Sequence, residues 1–86
     1  MRHATEADLD QLEPLLVELR KFPELRERKR GTFSRGAHAF LHFHEDAGDF
    51  FVDVKLDTRF SRARVTSHDE QADLLSQVRA ALQPAP

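Results

Sequence analysis

Between Ala37 and Leu56 the chain reads AHAFLHFHEDAGDFFVDVKL, and two alternating runs meet there at a turn. In the first run Ala39, Leu41 and Phe43 are apolar at odd positions, with His38, Phe40, His42 and His44 between them. In the second, Phe50, Val52, Val54 and Leu56 are apolar at even positions, with Phe51, Asp53 and Lys55 between them. Strand side chains alternate between sheet faces, so each run carries one apolar face and one mixed face. Glu45-Asp46-Ala47-Gly48-Asp49 supplies turn residues, because glycine tolerates positive φ and Asp bonds to nearby backbone. The pattern predicts a β-hairpin. Matching the apolar faces sets Phe43 opposite Val52, Leu41 opposite Val54 and Ala39 opposite Leu56. His42 then faces Asp53, His44 faces Phe51 and Phe40 faces Lys55. A one-residue slip would set Leu41 against a charged side chain; a two-residue slip keeps the faces and changes the partners.

The flanking segments give the hairpin something to pack against. Thr5-Glu6-Ala7-Asp8 resembles a capping box, and Leu9, Leu12, Leu16 and Leu19 then recur at helical spacing. This predicts an amphipathic helix from about Glu6 to Lys21, kinked at Pro14, or else a loose first turn with the helix starting at Pro14. Pro23 to Glu27 reads as one more helical turn. The basic segment Arg26, Arg28, Lys29, Arg30 and Arg35 reads as a solvated linker, with a phosphate-contacting patch as the alternative. Thr32-Phe33-Ser34 reads as a short strand and Phe60 to Thr66 as a last one. Placing Ala63 opposite Val54 and Val65 opposite Val52 puts Arg62 beside Lys55 and Arg64 beside Asp53. Ser67-His68-Asp69-Glu70 is a second capping box, followed by an apolar stripe through Ala72, Leu74, Leu75, Val78, Ala81 and Leu82. The expected fold is α+β, two-layer, in the order α-β-β-β-β-α. A four-stranded antiparallel meander carries both helices on its Leu41/Val52/Val54 face, within one domain over 1–86 whose ends, 1–4 and 83–86, fray.

The other face would be open and would hold His38, Phe40, His42, His44, Phe51, Asp53, Lys55, Arg62 and Arg64. Phe40 and Phe51 without cover predict a surface for a protein partner or for a second copy of the chain. The alternative is a divalent metal, with zinc as the cofactor and His42, His44 and Asp53 as ligands, because histidines two apart on a strand point the same way. Arg62 and Arg64 on that face oppose a cation. No catalytic residue is assigned: no nucleophile stands beside His42, and a cross-strand row His42–Asp53–Arg64 accounts for the pairing.

Composition narrows the partners. The chain has 86 residues, enough for one domain with a modest core. It has no cysteine, so thiolate chemistry and disulfides are excluded. Its net charge of −2 argues against bulk electrostatic binding of nucleic acid. No stretch is long enough to cross a bilayer and no signal-peptide core opens the sequence, so a cytoplasmic protein without membrane contact is expected. Arginine in excess over lysine, with abundant alanine, suggests a bacterial source of high GC content.

Three resemblances bear on this reading. MRHATEADLDQLEPLL resembles the first strand and helix of Gcn5-related acetyltransferases, but the scattered Gly31, Gly36 and Gly48 form no pyrophosphate loop of the kind that family uses for acetyl-CoA. His42-Phe43-His44-Glu45-Asp46 is similar to the start of the HxHxDH motif of metallo-β-lactamase-like hydrolases and departs from it at Ala47. From Phe33 onward, the FLHFHED hairpin, the strand ending Val65-Thr66 and the helix capped at Ser67 resemble a group of small bacterial proteins without an established activity. That resemblance implies consistency of fold and no catalytic residues.

Overall fold

The computed structural model describes residues 1–84. The expected fraying of Ala85 and Pro86 lies outside the described residues. In chain order the elements are β1 (Arg2–His3), α1 (Glu6–Leu19), β2 (Leu25–Lys29), β3 (Thr32–Arg35), β4 (His38–Asp46), β5 (Asp49–Lys55), β6 (Phe60–Arg64) and α2 (His68–Leu82). The class is α+β, and the sheet is antiparallel with six strands rather than four. β2-β3-β4-β5-β6 run side by side and β1 adds to β4. β5 takes one edge of β4. The other edge is shared: β3 pairs with residues from His38 to Leu41, and β1 with His44 and Glu45.

The central hairpin has the register that its alternation requires, with Leu41 opposite Val54, His42 opposite Asp53, Phe43 opposite Val52 and His44 opposite Phe51. Ala47 and Gly48 turn the chain at φ 52° and 86°. Both helices begin at true capping boxes. The Thr5 amide donates to Asp8 Oδ2 at 2.9 Å and the Asp8 amide to Thr5 Oγ1 at 3.2 Å, with the same exchange between Ser67 and Glu70. α1 runs unbroken through Pro14, so the helix does not start there. The residues of both helices and of the Leu41/Phe43/Val52/Val54 face join in one core. Leu12, Leu16 and Leu19 of α1 and Val78 of α2 are fully buried in it. Burial of each such side chain stabilises the fold by about 1.5–3 kcal/mol.

Three expectations change. The segment expected as a helical turn and basic linker is β2, which pairs with β3 through a two-residue connection at Arg30-Gly31. Two things favour a strand there. Leu25 and Glu27 alternate inward against exposed neighbours, and Gly31 takes φ 79° at the turn. The basic groups are used locally. Arg30 reaches Glu6, Asp10 and Glu13 on α1, and Arg28 donates to Ser34 Oγ at 2.8 Å.

The second change is at the β3–β4 pairing, where Ser34 faces Ala39 and Phe33 faces Leu41. Phe40 is therefore an extra residue on β4, and this bulge re-aims it into the core, where it is 2% exposed. It is not on the open face. The third change is a two-residue shift of β6. Val52 faces Ala63, Val54 faces Ser61 and Asp53 faces Arg62, so Arg62, not Arg64, lies beside Asp53. The connection settles this register. Asp57 Oδ1 accepts from the Arg59 amide at 2.9 Å, which shapes a four-residue loop in place of a two-residue one.

At the N-terminus, β1 is held by Arg2. Its guanidinium reaches Asp8 Oδ2 at 3.2 Å and Glu45 Oε1 at 3.0 Å, and the Ala4 amide donates to the Phe43 carbonyl at 3.1 Å. No described helix is long and apolar enough to cross a membrane.

Candidate functional site

Because His42 faces Asp53 and Asp53 faces Arg62, these three side chains form one cross-strand row on the face opposite the helices. The next row is His44, Phe51 and Arg64. β1 extends it, since His3 pairs with His44. Three histidines from distant parts of the sequence thus meet. The His3 and His44 rings are 4.7 Å apart by centroid, His42 and His44 are 4.9 Å apart edge to face, and His3 and His42 are 6.1 Å apart. Phe60 lies 5.7 Å from His42 on the far side.

Two imidazoles converge on one carboxylate oxygen. His44 Nε2 is 3.0 Å and His42 Nε2 is 3.3 Å from Asp53 Oδ2. The nearest donor atoms of His42, His44 and Asp53 all lie within 4.8 Å of one another. Arg62 grips the same carboxylate at both oxygens, with Nε 2.7 Å from Oδ1 and Nη2 2.9 Å from Oδ2. This grip holds the Asp53 carboxyl below the usual carboxylate range, against the opposing effect of burial. Burial, against the attraction of Asp53 and with the neighbouring His44 and His3 adding to it, holds the His42 imidazole below its ordinary value. A neutral imidazole is the form that ligates metals.

His44 is the most constrained member. It is 9% exposed, and its Nε2 is buried without a hydrogen-bond partner among the described residues. The 3.0 Å approach to Asp53 lacks the direction that a hydrogen bond needs. A buried polar atom left this way costs about 1–3 kcal/mol.

The remaining expected residues separate. Arg64 is drawn off to Glu70 and Asp49, each at 2.8 Å, so it does not stand as a free cation beside the imidazoles. Phe51 is half-buried. His38 and Lys55 sit past the bulge and line a separate hollow with Phe40 and Asp57. Phe60, 45% exposed, is the apolar side chain that the face does present.

Comparison with family models, with curated proteins and with solved structures finds no match.

Two site residues escaped the sequence reading. His3 falls within the end expected to fray, and only its pairing to β4 brings it beside His44. Phe60 opens the last expected strand with no role attached to it. Its signal is the alternation Phe60, Arg62, Arg64, which puts it on the same face as Arg62.

Proposed function

We propose that this chain is a binding protein for a divalent first-row metal, held by His42, His44 and Asp53. The observation that carries this reading is the orphaned Nε2 of His44, buried 3.0 Å from the carboxylate oxygen that His42 also approaches. In a tetrahedral site with bonds of about 2.0–2.1 Å, ligand atoms stand roughly 3.3 Å apart. The two nitrogen-to-oxygen separations of 3.0 and 3.3 Å are close to that edge already. Two imidazoles and one carboxylate form a three-ligand set with a position left open, suited to zinc or to ferrous iron. Arg62 would act as the outer partner that fixes the carboxylate, and its charge would weaken the affinity.

The test is calorimetric titration with zinc. One equivalent binds to the native chain, and His44→Phe, which keeps the buried ring, removes that binding while the helical circular-dichroism signal stays. Equal zinc binding by the native chain and His44→Phe overturns the reading.

A second reading keeps the expectation of a non-catalytic association surface. The burial of Phe40 removes one of the two rings that supported it, and exposed Phe60 beside His42 replaces it. On this reading two sheets stack face to face, and Phe60→Asp abolishes a concentration-dependent mass in sedimentation. A native chain that sediments as a monomer at every concentration rejects it.

A further inference from the structure

β3 and β1 share one edge of β4 without meeting. β3 ends its pairing at Leu41, and β1 begins at His44, with Ala4 bonded to Phe43. The interval at His42 is a notch in the sheet. It opens into a cavity of about 310 Å³ whose walls include His3, His42, Lys29, Thr32 and Gly31, with Leu9 below. Gly31 keeps one wall bare: a Cβ there would stand 2.7 Å from Leu9 Cδ2.

The charges around the notch do not balance evenly. Arg30 is spent on Glu6, Asp10 and Glu13, and Arg20 on Glu13 and Glu27. Glu27 also accepts from the Gly31 amide. Arg2 is held between Asp8 and Glu45. Lys29 lines the cavity and has no carboxylate within ion-pair distance among the described residues, so its charge is left uncompensated. His42 belongs both to the cavity wall and to the three-ligand set.

We propose that the notch seats a small oxyanion that completes the coordination of the metal on His42, His44 and Asp53 and is held from the other side by Lys29. This rests on the metal reading above. The metal supplies one positive charge, and Lys29 supplies a second anchor. Thr32 also lines the cavity. The chain would therefore bind metal and anion as a pair, each strengthening the other.

The experiment uses the full chain loaded with cobalt(II), whose visible spectrum reports its coordination. Inorganic phosphate and acetate are titrated separately, with bound cobalt measured after gel filtration. The expected result is a saturable spectral change with at least one of them. Tighter binding of phosphate assigns a phosphoryl ligand, and tighter binding of acetate a carboxylate. Lys29→Ala weakens the anion by on the order of tenfold, the loss of one charge-assisted contact, and removes most of the gain in cobalt affinity that added anion gives the native chain. Lys29→Arg restores most of the effect. Cobalt binding with a spectrum indifferent to both anions overturns this inference and leaves the metal reading standing. So does an anion affinity unchanged in Lys29→Ala. Absence of cobalt binding to the native chain overturns both.

Discussion

Phe40 leaves the place that simple alternation gives it while Phe60 keeps its own, and the difference has a measurable consequence. Strict period-two reading puts Phe40 on the open face, yet an added residue in β4 turns it into the core. A bulge carries no period of its own, so alternation cannot reveal it. Phe40→Ala should therefore cost about 3–5 kcal/mol in urea unfolding, as for a buried ring. Phe60→Ala should stay within about 0.5 kcal/mol, as for an exposed one. Gly31 gives a second residue-scale outcome. It has φ 79° and its missing Cβ would meet Leu9, so Gly31→Ala strains the turn and crowds the core. A loss of about 1–3 kcal/mol is expected in the same measurement. The faces of His42, His44 and Asp53 were legible, because each is fixed by parity alone.

Among the elements, those with local signals were readable and those formed only by distant pairing were not. The two capping boxes are written in four residues each, and both helices start where those residues stand. Thr5→Ala should destabilise the chain by about 0.5–2 kcal/mol, and Ser67→Ala by a similar amount, read as a lower urea midpoint. β1 is different. Two residues have no pattern, and they become a strand because Arg2 bridges Asp8 and Glu45 and because Ala4 bonds to Phe43. β2 was hidden by its charge. LRERK looks like solvent-exposed linker until Arg30 is seen clamped to α1. The shift of β6 has a similar origin. A two-residue slip preserves both faces, so only the loop at Asp57 decides between the registers.

For the whole molecule, helices cover one side of the sheet and imidazoles gather on the other. The ion pairs that join its parts are acid-sensitive in one direction. Asp8 is held below its ordinary value of 3.8, chiefly by the Thr5 amide and then by its hydroxyl and by Arg2, against burial. Burial raises Glu27, but Arg20 and the Gly31 amide outweigh it and hold the carboxyl below 4.5. A carboxyl with a lowered folded pKa lends stability that is complete above its unfolded value and is lost as pH falls through the folded one. The urea midpoint should therefore begin to fall as pH drops through 6.5, the ordinary value from which burial lowers His42, and fall further as acid carries the solution below 4.5 and then 3.8. A midpoint that rises on acidification would contradict these assignments.

The metal reading depends on a difference among the five histidines of the chain. His42 and His44 share a carboxylate, His3 stacks beside them, and His38 and His68 stand elsewhere. Imidazole resonances followed during a zinc titration measure that difference directly. The account predicts that His42 and His44 move together and saturate at one equivalent, with His3 perturbed as their neighbour and His38 and His68 unmoved. Equal small shifts at all five histidines, or none at His44, would contradict it.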